Sequence, residues 1–159
     1  MLGEALVATD LPSVLIAEDN GFDQLILKRA FKAAELGVVV RFVEHGEALI
    51  SYLSSGFEND VVGLADRVLP AVIFLDLNMP VADGWEALRQ LRADPRWTDI
   101  PVIVMSTLAH EGDIAKVYAS GASGYFTKPS SFSDMVAAIR TSVAPWLVAE
   151  GAPRPKRLV

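Results

Sequence analysis

Five short apolar runs punctuate the chain: "SVLIA" (13–17), "VVVRFV" (38–43), "AVIFL" (71–75), "PVIVM" (101–105) and "GYFT" (124–127). Each is too short for a core helix and rich in β-branched residues, so each reads as a strand. Helical patterns separate them. Phe22, Leu25, Ile26, Ala30 and Ala33 fall on one face, with Asn20 placed to cap and Asp23 three residues on. Ala48, Leu49, Tyr52 and Leu53 make a shorter face that is expected to end at Ser54-Ser55-Gly56. Trp85, Leu88 and Leu91 form a third, and Ile114, Val117 and Tyr118 a fourth that Gly121 should stop. The fifth holds Phe132, Met135, Val136, Ile139 and Val143, with Ser130 or Ser131 as its cap. Strands that alternate with helices lie parallel, joined by right-handed crossovers. The expected fold is therefore α/β, a doubly wound (βα)5 flavodoxin-like arrangement. Five units are too few for an eight-fold barrel.

Composition narrows the setting. The 159 residues suit one domain, and a hydrophobic share of 52% supplies its core. There are no cysteines, which excludes disulfides and thiolate chemistry. No apolar run approaches the roughly 18 residues of a membrane span, and "MLGEALVATDLP" lacks a basic segment before its apolar residues. A cytoplasmic protein is expected. The net charge is −6; setting aside the +3 of Arg154, Lys156 and Arg157 in "GAPRPKRLV" leaves −9 on the rest. An acidic body argues against nucleic acid as a partner. The expected organisation is an extension over 1–12, a domain over 13–148 and a flexible basic tail over 149–159. The stretch from Ser54 to Pro70 is long for a connection.

Polar residues close four of the strands: Glu18-Asp19 the first, Asp76 the third, Ser106-Thr107 the fourth and Lys128 the fifth. In a parallel sheet these ends share one edge, and in the order 2-1-3-4-5 the crevice opens between strands 1 and 3. That gathers Glu18, Asp19 and Asp76, with Ser106 and Lys128 at the flank. Carboxylates so close repel unless their pKa values rise or a cation joins them. All-oxygen ligands favour a hard divalent ion, commonly Mg²⁺. Lys128 and a hydroxyl add donors for an anion beside the metal. Together these groups describe a phosphoryl site in which Asp76 is the nucleophile.

"LIAEDN", "IFLDLNMPVADGWEAL", "IPVIVMST" and "GASGYFTKP" resemble the motifs of the receiver domain of two-component response regulators. The likeness spans about residues 13–146 in order. It implies that Asp76 is the phosphoaspartate site, Asp19 a direct Mg²⁺ ligand and Glu18 an acidic partner acting mostly through water. The backbone carbonyl of Asn78 would complete the metal shell. The resemblance makes Ser106 the switch hydroxyl, Lys128 the site lysine and Tyr125 the rotating aromatic. It also implies a cis bond at Lys128-Pro129, and places Asn78 and Leu108 beside the attacking water in dephosphorylation. Serine at 106, where threonine is more frequent, and Thr107, where a small residue is usual, depart from the pattern. The long connection before strand 3 and "RADPRWTDIPVIVMST" look like stand-alone receivers paired with phytochrome-type kinases. About a dozen residues follow the domain, against at least about 50 for a DNA-binding output domain. Output is then expected through protein contact, at the face of the fourth helix, fifth strand and fifth helix, with a partner or as a homodimer. The expected phosphodonor is a sensor histidine kinase or a phosphotransfer protein, and no enzyme activity is expected beyond the domain's own phosphoryl transfer and loss.

Three rival readings fit the residues less well. A haloacid-dehalogenase-type phosphatase resembles D-x-D, but the second acid is replaced by Asn78. A flavodoxin-type carrier needs a hydroxyl- and glycine-rich loop after strand 1, where "EDNGFD" would repel phosphate. A degenerate receiver would lack key groups, and all are present here. His45 and His110 are unpaired by sequence spacing and read as exposed. Trp146 with Leu147 either seals the core or joins a partner surface.

Overall fold

A computed structural model describes residues 11–59, 69–79, 83–107 and 111–147. Among them, β1 (Ser13–Ala17), β2 (Val39–Val43), β3 (Val72–Asp76), β4 (Val102–Ser106) and β5 (Gly124–Thr127) form one sheet in the order β2-β1-β3-β4-β5. Every pairing is parallel. The strands are as expected to within a residue or so; the edge strands β2, with its exposed Arg41, and β5 are half-buried. All of β3 and β4 is buried.

The helices α1 (Gly21–Ala34), α2 (Gly46–Asn59), α3 (Asp83–Ala93), α4 (Glu111–Ala119) and α5 (Phe132–Val143) complete the alternation. Strand side chains point alternately to the two faces. Leu15, Ile73, Leu75 and Val104 pack with Leu49, Leu88, Leu91 and Val117, from α2, α3 and α4. Val14, Ile16, Phe74 and Met105 pack with Leu27, Phe31, Met135 and Ile139, from α1 and α5. The sheet is thus covered on both sides. Phe74 sits between Phe31 and Phe126, edge-on, at centroid distances of 5.2 and 5.8 Å.

Several helix expectations need correction: Tyr52 of α2, Tyr118 of α4 and Phe132 of α5, expected on the apolar faces, are exposed. In α1 the buried stripe is Leu27, Ala30, Phe31 and Ala34, whereas Phe22 and Leu25 stand exposed at 70% and 42%. The helix carries apolar residues on two overlapping stripes, and Phe31 against Phe74 decides which one turns inward. In α2 the Ser54-Ser55-Gly56 run does not end the helix, which continues to Asn59. A single glycine costs only about 1 kcal/mol in a helix, too little to stop it. Residues 60–68 of the long connection, the 1–10 and 148–159 ends, and His110 lie outside the described residues. His45 is exposed as expected, and its Nδ1 accepts from Ala48 N–H at the start of α2, 3.1 Å.

Asn20 caps α1 by accepting from Asp23 N–H at 2.9 Å, and Ser131, not Ser130, caps α5. Gly121 ends α4 with φ of 109°, a conformation that favours glycine. A side chain there would also run into Arg92, whose Cγ lies 2.6 Å from the Cβ position. Trp146 and Leu147 are half-buried against the α1/α5 cluster, the sealing role rather than a free surface. No described helix is long and apolar enough to cross a membrane.

No peptide bond among the described residues is cis, so Lys128–Pro129 is trans, contrary to expectation. The trans form is the lower by about 0.5–1 kcal/mol before proline. Here Lys128 N–H extends the sheet to Ser106 O at 2.9 Å, and the side chain reaches its partners from that position.

Candidate functional site

Alternation along the strands determines what meets at the edge. Glu18 follows Ile16 by two residues, Asp76 follows Phe74, and Lys128 follows Phe126, all on the α1/α5 side of the sheet. The β1–β3 register sets Ala17 beside Leu75, so Glu18 arrives level with Asp76. Lys128 Nζ then lies 2.9 Å from Asp76 Oδ2 and 3.3 Å from Glu18 Oε1. Glu18 and Asp76 are buried, at 0% and 1% exposure. Asp19, one residue further, is exposed at the rim. Oxygens of Glu18, Asp19 and Asp76 all come within 4.8 Å of one another. Three hard oxygen donors at that spacing can hold a divalent cation.

The acids shape one another electrically. Burial first, then the hydrogen bond and charge of Asp76, push the Glu18 carboxyl up to about 8. Burial would lower the pKa of Lys128, but Asp76, Glu18 and Asp23 outweigh it and the pKa rises. Lys128 therefore stays charged and serves as the counter-ion of the metal-free cluster. Glu18 is further fixed by its own neighbours: Asn20 N–H donates to its Oε2 at 3.1 Å, and Gln24 Nε2 donates to its carbonyl at 2.6 Å.

Asp23 and Gln24 are site residues that sequence reasoning missed. Asp23 reads as a first-turn acid, and it is one, yet its carboxylate also pairs with Lys128 at 3.4 Å. The available signal was position: α1 begins at the acidic edge, so its first turn faces the site.

The loop after β3 is pinned at both ends. Asn78 N–H donates to Asp76 Oδ1 at 2.7 Å, and Asn78 Oδ1 accepts from Thr107 N–H at 2.7 Å. Asp83 begins α3 and accepts from Gly46 N–H at the start of α2. A Cβ on Gly84 would meet Asp76 O at 2.9 Å, so glycine there lets α3 close on the end of β3. Ser106 is fully buried at the end of β4, one step beyond the residue paired with Asp76. It lies on the side of Val104, whose partner in β5 is Tyr125. Tyr125 is half-buried against that cluster, with its hydroxyl 3.4 Å from Thr127 Oγ1. Leu108 lies outside the described residues.

An acidic triad with a lysine on its innermost carboxylate, at the carboxyl edge of a 2-1-3-4-5 sheet, is joined by direct kinship. The model of the response regulator receiver domain matches residues 14–140. The chain belongs to that family. Receiver domains are phosphoacceptor signalling domains of two-component systems and act with histidine kinases or phosphotransfer proteins. Among solved structures, the response regulator RPA3017 in red light signaling of R. palustris is 36% identical, covers 92% of this chain and 99% of its own, and superposes with a TM-score of 0.78. The phosphorylated cyanobacterial phytochrome response regulator RcpA is 29% identical, with 92% and 99% coverage and a TM-score of 0.73. The Mn²⁺-bound form of response regulator Rcp1, from Synechocystis, is 26% identical, with 91% and 99% coverage and a TM-score of 0.71. These neighbours place the chain near stand-alone, phytochrome-associated receivers.

Proposed function

We propose that Asp76 is the phosphoacceptor of this receiver, with Mg²⁺ held by Asp19, Asp76, the Asn78 backbone carbonyl and, through water, Glu18. The observation that carries this is Lys128 Nζ on Asp76 Oδ2 at 2.9 Å within the triad. The bound cation would supply charge neutralisation for the entering phosphoryl group. The residues do the rest. An Asp76 oxygen forms a bond to phosphorus as the bond from phosphorus to the donor histidine nitrogen breaks, and that nitrogen keeps the electron pair. Lys128 offsets negative charge on the transferred oxygens, and burial of Asp76 limits competing water.

The phosphodonor is a sensor histidine kinase of phytochrome type, a reading supported by the likeness to RPA3017 of red light signaling and to the phytochrome response regulator RcpA. Mg²⁺ is favoured by the all-oxygen donor set, and Mn²⁺ in Rcp1 is a cation of the same charge. Ser106 and Tyr125 carry the switch, and Asn78 and Leu108 set the lifetime of the phosphorylated state. The domain of 13–148 acts in the cytoplasm, catalyses only its own phosphoryl transfer and loss, and passes its signal by protein contact through α4, β5 and α5, as partner surface or homodimer face. With Mg²⁺ and acetyl phosphate, intact-mass analysis should show one added phosphoryl group. Asp76→Asn should take up none; labelling of that variant would remove Asp76 from this role.

A further inference from the structure

The β3–β4 ladder ends on a side chain. Ile73 N–H donates to Pro101 O at 2.9 Å and Leu77 N–H to Met105 O at 3.0 Å. With Asp76 registered on Met105, the next rung of a parallel ladder is Thr107 N–H onto the Leu77 carbonyl. Thr107 N–H donates instead to Asn78 Oδ1, at 2.7 Å. A backbone N–H requires an oxygen opposite it, which fixes how the Asn78 amide is turned. The N–H of the same residue donates to Asp76 Oδ1, at 2.7 Å. Asn78 therefore ties the buried carboxylate to the residue that follows Ser106.

We propose that Asn78 is a positioning residue whose carboxamide holds Thr107 N–H until an oxygen of the phosphoryl group on Asp76 takes it over. The proposal rests on reading Asp76 as the phosphoacceptor. A phosphoryl group adds negative charge and strong acceptor oxygens beside Asp76. Asn78 Oδ1 is also an acceptor, so the two compete for one donor. Hydrogen bonds to an ionised acceptor are roughly twice as strong as neutral ones, and the carboxamide yields. Because this rung is a side chain, exchanging it breaks no main-chain bond of the ladder. Asn78 and Thr107 are both exposed, so the released carboxamide turns into water without desolvation cost. The exchange draws the chain after Ser106 toward Asp76 while β4 stays paired.

The test is amide NMR on the full chain, as wild type, Asn78→Ala and Asn78→Asp, with and without Mg²⁺ and beryllofluoride. In the resting protein Asn78→Ala should speed Thr107 amide exchange about fivefold or more, the worth of one net hydrogen bond. Asn78→Asp, which keeps an acceptor oxygen, should restore the protection. With beryllofluoride bound, Thr107 should exchange equally slowly in wild type and Asn78→Ala, and the Asn78 side-chain amide signals of the wild type should shift. Resting exchange that ignores Asn78→Ala overturns the proposal. So do Thr107 and Asn78 signals that stay in place on beryllofluoride binding while acetyl phosphate still labels Asp76. If Asp76 takes up neither reagent, the phosphoacceptor reading falls and this exchange falls with it.

Discussion

Glu18 is wholly buried beside Asp76 and Lys128, so its proton is a structural part of the metal-free site. Its pKa rises on folding from an ordinary 4.5 to about 8, and the folded chain keeps a proton that the unfolded chain has lost. The stability this contributes is fully present below about 4.5 and is lost as pH climbs to about 8. The thermal midpoint of metal-free protein should therefore fall across that window, and Glu18→Gln should flatten the slope. Mg²⁺ should oppose the fall, because a cation favours the ionised carboxylate. A slope unchanged in Glu18→Gln, measured by calorimetry from pH 5 to 8, would point to another group. In the role proposed for Leu108, whose side chain offers no group to orient water, the phosphorylated protein should decay slowly, and Leu108→Glu should speed loss of label in an acetyl-phosphate chase. Decay as slow in that variant would count against the idea. At this scale most of the site was legible. Glu18, Asp76 and Lys128 each end a strand, and two-residue alternation places them on one face. Asp23 was not, because a first-turn acid is so often explained by its own helix and a sequence shows no distance to Lys128.

Elements were legible in kind and less so in phase and length. The central strands β1, β3 and β4, apolar on both faces, read as parallel strands from the sequence, whereas α1 offers two apolar stripes that differ by one residue step. Only the packing of Phe31 on Phe74 chooses between them. The α2 terminus was misplaced for a related reason: Ser-Ser-Gly weakens a helix without ending it, and continuation is set by context. Arg92 shows what no periodicity could show. From the last turn of α3 its guanidinium donates to Gly121 O at 2.7 Å, Ile100 O at 2.9 Å and Thr98 O at 3.1 Å. It thus ties α3 to the approach to β4 and to the turn after α4. Three charge-assisted, part-buried bonds to carbonyls are worth more than a surface ion pair. Arg92→Met keeps much of the aliphatic stem and should cost about 2–4 kcal/mol in urea unfolding. Because the clamp lies at the edge of the sheet opposite the acids, acetyl-phosphate labelling of the folded variant should be close to normal. A loss under about 0.5 kcal/mol, the range of ordinary surface changes, would show that the bonds are replaced by water.

Across the whole molecule the sheet separates the groups of the proposed acceptor site from those of the proposed switch. Asp76, Glu18 and Lys128 take the face covered by α1 and α5, while Ser106 and Tyr125 take the face covered by α2, α3 and α4. Ser106 stands between them, at the end of β4 and next beyond the residue registered with Asp76. A phosphoryl group on Asp76 needs only to bind one of two arrangements better to shift their populations. In the proposed switch, drawing the buried Ser106 hydroxyl toward it would vacate space on the side of Val104, where Tyr125 in the neighbouring strand is half-buried and adjacent in register. Tyr125 would turn into that space, and the surface of α4, β5 and α5 would change with it. Ser106→Ala removes the hydroxyl and little volume, so the fold and the acceptor should survive. The variant should still take up one phosphoryl group from acetyl phosphate, with the rate reduced and not abolished. Its response should be what fails. Amide shifts over 111–143, recorded with and without beryllofluoride, should move strongly in the wild type and remain confined to the neighbourhood of Asp76 in Ser106→Ala. Tyr125→Ala should show the complementary pattern: local changes at Ser106 with little movement in α4. If the α4–β5–α5 face of Ser106→Ala responds as fully as that of the wild type, the signal crosses the sheet by a route that does not use this hydroxyl.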